Sequence, residues 1–239
     1  MKRELKSATL KVIALLMSYP EKEMVEACGE AVDILRKEGW LSNDAIANID
    51  AFTKSMREKD VFDLQDDYVY LFDRTPSLSL HLFEHVHGDS RDRGQAMVEL
   101  DMLYREQGLY NSSEHTPDYL PMFLEYLSTL SADEARHHLD GAVDVVAIIA
   151  ERLHKRQSAY ACLFDSLKEA AARKPDEKKL QSALVLDSGA PLTEAQMDDA
   201  WEEQFAFDMN KENQSGGCPK AEDMLARMNS PVPSKEVRS

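Results

Sequence analysis

The chain has 239 residues, of which 28 are basic and 44 acidic, for a net charge of −16. Such a surplus of carboxylates repels phosphate backbones and anionic lipid, so nucleic-acid binding is excluded and a basic partner is favoured. Cys28, Cys162 and Cys218 stand far apart with no CxxC pair, which rules out a disulfide framework and indicates a reducing compartment.

At the start, Glu4, Lys6 and Lys11 interrupt any apolar run, so there is no secretory h-region, and apolar runs elsewhere fall well short of the roughly 20 residues that span a bilayer. A cytoplasmic protein without membrane insertion is expected. Leu5, Thr9, Val12, Ile13 and Leu16 form a helical stripe that stops at Tyr19-Pro20. A second helix starts near Glu21, carries Val25, Cys28, Val32 and Leu35, and ends at Gly39. Ser42 or Asn43 caps a third, with Ile46, Ile49, Phe52 and Met56 on one face. Asp60 opens a fourth, closed by Tyr68, Leu71 and Phe72, before Arg74-Thr75-Pro76-Ser77 breaks it. Leu78, Leu82, Phe83 and Val86 resume helical spacing, and Gly88-Asp89-Ser90 breaks it again. Asp89 or Ser90 then caps a helix through Met97, Leu100 and Leu103.

After a polar loop at 111–116, Pro117-Asp118-Tyr119 reads as a turn with Asp118 as the N-cap, and Pro121 fits the first turn that follows. Ser131 with Glu134 makes a capping box. Val143, Val145, Val146, Ile148 and Ile149 then predict a helix buried on most faces, and Tyr160, Leu163, Phe164 and Leu167 continue the pattern to about Arg173. No alternating run argues for a sheet. The prediction is an all-α, compact single-domain helical bundle over 1–174. Residues 175–239, with 13 acidic and 7 basic side chains, are expected to form a largely flexible acidic tail, with a possible short helix at 194–209 around Trp201, Phe205 and Phe207.

Several groups invite a chemical reading. His81-Leu82-Phe83-Glu84-His85 matches HxxEH, so one alternative is a zinc-dependent hydrolase with His81 and His85 as ligands and Glu84 as base. That motif lacks an identifiable third ligand, and packing or hydrogen-bonding histidines are the simpler account. Arg91 and Arg93 read equally as a local ion-pair lattice or as forked donors for a carboxylate, phosphate or carbonyl. No phosphate-cradling glycine loop and no GxSxG is present. Tyr68, Leu71, Phe72, Leu82 and Phe83 either fill the core or line a cleft for an amphipathic helix whose basic residues the surrounding carboxylates attract.

The stretch LFDRTPSLSLHLFEHVHGDSRDRGQAMV within Tyr68 to Leu100 resembles the signature of the NarJ-type nitrate reductase assembly chaperones, within the wider group of redox-enzyme maturation chaperones that includes TorD and DmsD. PDYLPMFLEYLS, Pro117 to Ser128, resembles that group's second motif, with Tyr119 where histidine is common in relatives. The resemblance implies a non-enzymatic, TorD/DmsD-type helical chaperone. It would bind the apo catalytic (alpha) subunit of a respiratory nitrate reductase, including its N-terminal peptide, and assist molybdenum cofactor insertion. It would leave the mature enzyme and hold no cofactor stably itself, with molybdenum cofactor delivery proteins as further partners. Carried onto this chain, the peptide and partner site implied is Tyr68, Leu71, Phe72, Pro76, His81, His85, Gly88, Asp89, Arg91, Gly94, Asp118 and Tyr119.

Overall fold

A computed structural model describes residues 7–87, 91–111 and 115–185, with His87, Arg91, Asp92 and Val185 described by backbone alone. Helix α1 (Ala8–Leu16) begins without a local cap. Its open N–H groups are met from a distance, Ala8 and Thr9 both donating to the Glu38 carboxylate. The single helix expected from Glu21 to Gly39 is two, α2 (Lys22–Ala27) and α3 (Ala31–Glu38), joined by a 3₁₀ turn at Cys28–Glu30. At the break the Arg57 guanidinium packs closely on Gly29, where a Cβ would lie 3.0 Å from it. Gly39 ends α3 at φ +70°, a conformation that other residues adopt at a cost.

Ser42 caps α4 (Asn43–Glu58) by accepting the Ala45 N–H, and Asp60 caps α5 (Val61–Tyr68) by accepting that of Phe62. The helix does not simply stop at Phe72. It widens into a π turn over Val69–Asp73, in which the Arg74 N–H reaches back five residues to the Val69 carbonyl at 2.9 Å. A 3₁₀ turn at Pro76–Leu78 follows.

The helix expected across Leu78–Val86 shrinks to α6 (Glu84–His87). Its N-terminal half is extended and pairs antiparallel with 118–120, Leu82 N–H donating to the Asp118 carbonyl at 3.0 Å and Leu120 N–H to that of Leu80 at 2.8 Å. Apolar spacing alone cannot foresee this, because the competing backbone partners, at 118–120, are remote in sequence. It is an isolated bridge rather than a sheet, and the described residues are otherwise helices and turns, as an all-α class requires.

Helix α7 (Arg91–Glu106) starts beside the expected caps Asp89 and Ser90, which lie outside the described residues. Pro121 occupies the first turn of α8 (Leu120–Leu127), and the reciprocal Ser131–Glu134 box opens α9 (Ala132–Lys155). α9 is the central column: Leu139, Ala142, Val143, Val146, Ala147, Ile149, Ala150 and Leu153 have no exposed surface. α10 (Ala161–Ala170) returns along it, while α1 packs on α8 and α3, and α4 on α3 and α10.

The described fold continues past residue 174 into α11 (Glu177–Val185), which packs on α9. Asp144 anchors its start, accepting from the Asp176 N–H and pairing with Arg173 and Lys179, and Arg152 donates to the Ala183 carbonyl near its end. The possible helix at 194–209 lies outside the described residues. No helix among the described residues is long and apolar enough to cross a membrane.

Candidate functional site

The π turn, the antiparallel clip and the end of α1 converge on one cleft of about 200 Å³, lined by Tyr19, Tyr68, Phe72, Asp73, Leu80, His81, His115 and Tyr119. Tyr68 and Asp73 stand five positions apart, and the π turn seats them with Phe72 beside the same opening. Tyr68 and Phe72 rings lie 5.0 Å apart, and Tyr19 stands edge-on to Tyr68 at 5.6 Å. Opposite them, His115 stacks on Tyr119 at 4.0 Å and His81 tilts against Tyr119 at 5.4 Å. The Tyr68 and Tyr119 hydroxyls are 2.9 Å apart, and Tyr68 also donates to the Met17 carbonyl. Burial pushes both phenols up in pKa, so both stay neutral and act as hydrogen-bonding caps on an apolar box.

Asp73 is the acidic group of this box. Desolvation raises its pKa, and the nearby His115 and His81 pull it back down. The cleft therefore combines aromatic walls with one carboxylate, a chemistry suited to an apolar segment bearing a cationic group.

Asp118 does not face a ligand. It is fully buried and is not the N-cap of α8, a position taken by Tyr119. Its carboxylate accepts the Phe83 N–H at 3.1 Å and the Thr116 hydroxyl at 2.5 Å, with His81 Nδ1 at 3.0 Å from Thr116 Oγ1 and 3.4 Å from Asp118. Burial pushes its pKa up, but the hydrogen bonds of His81, Thr116 and Phe83 outweigh that and hold it below the usual carboxylate value. Asp118 thus holds the two ends of the clip together and fixes the His81 ring from beneath.

Of the residues expected to form the site, Tyr68, Phe72, His81 and Tyr119 line the cleft and Asp118 underlies it. Leu71 lines a different hollow. Pro76 is exposed in its 3₁₀ turn and Gly94 is exposed on α7, where an added Cβ would meet open space. His85 is committed to the fold, its Nε2–H donating to the Ser79 carbonyl at 2.8 Å. Gly88 and Asp89 lie outside the described residues, as does the Arg91 side chain. Arg93 pairs with Glu84 at 3.3 Å, the local ion-pair reading. Leu82 and Phe83 are core residues with no exposed surface. Tyr19, Asp73 and His115 were not singled out by sequence; Tyr19 sits at the helix stop and His115 in the polar loop, and only the tertiary fold unites them.

The HxxEH spacing does not produce a zinc-protease site. His81 lies in the extended clip and His85 in α6, so the two rings do not share a helical face, and each already has a partner within the protein. Among the described residues no group of three or more His, Cys, Asp or Glu is arranged to hold a metal ion.

The nitrate reductase delta subunit family matches residues 41–166, which include the π turn, the clip and most of α10. The nitrate reductase molybdenum cofactor assembly chaperone NarJ of Escherichia coli K12 is 36% identical over 195 residues, 82% of each chain. NarW of the same organism, described as a chaperone of the same kind, is 35% identical over 82% of this chain and 81% of its own. A crystal structure described as a redox enzyme maturation protein from Archaeoglobus fulgidus aligns with a TM-score of 0.47 at 22% identity, covering 66% of this chain and 88% of that one. A match spanning more than half the chain, joined to relatives of this identity and coverage, places it: the chain belongs to the nitrate reductase delta subunit family.

Proposed function

We propose that this chain is a cytoplasmic, system-specific chaperone without enzymatic activity. It binds the apo catalytic subunit of a respiratory nitrate reductase, including its N-terminal segment, assists molybdenum cofactor insertion, and is absent from the mature enzyme. The names of its relatives support the assembly role. The observation that carries the peptide-binding part is the aromatic cleft with Asp73 at its edge. An apolar side chain of the client segment enters between Tyr19, Phe72 and Tyr119, and a neighbouring basic residue pairs with Asp73. Release follows from differential binding: once the cofactor is loaded the segment is occupied within the enzyme, and the chaperone loses its ligand.

The test is calorimetric titration with the N-terminal peptide of a respiratory nitrate reductase catalytic subunit. Phe72→Ala is a poor probe, since Phe72 is buried and its truncation would cost the fold about 3–5 kcal/mol. Tyr19→Ala and Asp73→Asn are better, because both side chains are solvent-accessible. A Kd near 1 μM corresponds to about −8 kcal/mol. Asp73→Asn should weaken it by up to about fivefold, the roughly 1 kcal/mol of a part-exposed ion pair. An unbound peptide, or affinity unchanged in both variants, removes the cleft from the reading.

A further inference from the structure

The peptide cleft does not end at Tyr119. The stacked rings of His115 and Tyr119 that wall it also wall a second hollow, of about 380 Å³, along the seam between α1 and α8. The two helices run antiparallel there: the Ser7 N–H donates to the Ser128 carbonyl at one end, and Tyr19 and Tyr119 share the cleft at the other. Lys11, Ala14, Leu15 and Ser18 line the seam at intervals of three and four residues, the spacing of one helix face. Met122 and Glu125 line it from α8.

The rim of this seam is apolar and bare. Leu15 is 46% exposed, Tyr19 44%, and Tyr110, just past the end of α7, 75%. Leu15 and Tyr110 belong to the hollow and Tyr19 to the cleft, so the uncovered apolar surface passes from one into the other. A segment seated in the cleft meets it on leaving. Charge decides what the hollow takes. Its lysine and its carboxylate, Lys11 and Glu125, are paired with each other, so it calls for an apolar side chain and leaves the cationic group of the ligand to Asp73.

We infer that the hollow between α1 and α8 is a second subsite for the same client segment, taking a further apolar side chain between Leu15, Tyr110 and Met122, a role that rests on the cleft binding that segment. Tyr19 and Leu15 are four residues apart on one wall, and Tyr119 and Met122 three apart on the other. The two apolar side chains of the client therefore stand about 5 Å apart, the rise of one helical turn. A peptide with a single apolar residue beside a basic one fills only half of this groove.

Calorimetric titration with the N-terminal peptide of a respiratory nitrate reductase catalytic subunit separates the two sites. Leu15→Ala and Tyr110→Ala alter exposed side chains, and each is checked for an unchanged unfolding midpoint. Each should weaken the peptide by about fivefold. With the peptide's apolar residues replaced by alanine one at a time, one replacement should cost nothing further in Leu15→Ala, and a different one nothing further in Tyr19→Ala. Binding that weakens in Tyr19→Ala and Asp73→Asn but holds in both Leu15→Ala and Tyr110→Ala overturns the inference and leaves the cleft standing. Binding that weakens only in the seam variants, or no binding at all, removes the cleft and the subsite together. A single peptide residue silenced by both Leu15→Ala and Tyr19→Ala means one anchor, which also overturns the inference. So does sedimentation in which the free chain dimerises and Leu15→Ala abolishes the dimer, since the seam then belongs to a second copy.

Discussion

Replacing Asp118 tests whether the cleft is held from beneath. Its carboxylate is fully buried and serves three donors: the Phe83 N–H, the Thr116 hydroxyl and, at longer range, His81 Nδ1. Asp118→Ala removes the acceptor that the Phe83 N–H uses, and Phe83 itself has no exposed surface through which water could substitute. An orphaned buried amide costs about 1–3 kcal/mol, and the loss of a charge-assisted bond to Thr116 adds about 1.5–3 kcal/mol. The expected loss is therefore about 2.5–6 kcal/mol, a large share of the about 5–15 kcal/mol that stabilises a domain. Asp118→Asn retains one carbonyl oxygen for the amide and should lose only about 1–2 kcal/mol. Urea unfolding followed by far-ultraviolet circular dichroism reads both as shifts in midpoint at constant slope. The double variant with His81→Ala should cost less than the sum of the two single changes, because they share one network. Equal losses for Ala and Asn, or a loss below about 1 kcal/mol for Ala, would refute the idea that Asp118 fastens the two segments.

Three further outcomes follow from the same reasoning. Ser131→Ala removes the capping box that starts the central helix and should lower stability by about 1 kcal/mol, read in the same unfolding assay, while Ser158→Ala, which caps no helix, should not. His85 is held below its ordinary pKa, mainly by desolvation, so the unfolded chain takes up a proton there that the folded chain refuses. Its contribution is complete above the unfolded value of about 6.5 and is lost as pH falls below it; thermal unfolding at pH 7.5 and 5.5 should show this, with the difference reduced in His85→Gln. In Asp73 the shift runs the other way and bears on binding. Its pKa is raised, so the cleft loses its negative charge at a higher pH than an ordinary carboxylate would. Affinity for a basic peptide should fall on acidification, and Asp73→Asn should flatten that part of the profile.

What could be read directly from the chain is what local chemistry decides. Ser42, Asp60 and Ser131 cap the helices expected of them, Gly39 ends one in the left-handed region, and the apolar run around Val146 becomes the central column. The misreadings share one cause, a partner remote in sequence. At the 3₁₀ break Cys28–Glu30 the close neighbour is Arg57, and the extended run at His81 pairs with backbone groups at 118–120. Asp118 passes for an N-cap because its true acceptor role, toward Phe83, is fixed only in three dimensions. The same holds for the cleft. Tyr68, Phe72 and His81 share one unusual stretch and Tyr119 lies in a second, whereas Tyr19 and His115 join them only through packing, and Asp73 is seated there by the π turn.

The clip between Leu80–Leu82 and Asp118–Leu120 also shapes how the chain can change over time. Everything between its two arms, including α6 and α7, departs and returns at points one backbone hydrogen bond apart. Such an excursion is moored like the tip of a hairpin: its ends are fixed by their mutual pairing whatever its contour length. Closure entropy rises only logarithmically, by about 0.6 kcal/mol for each doubling. Lengthening its connecting loops therefore need not disturb the two strands of backbone at its base. The excursion is thus closed at its base, where His81 and Tyr119 face each other and keep their places whatever the length of its loops.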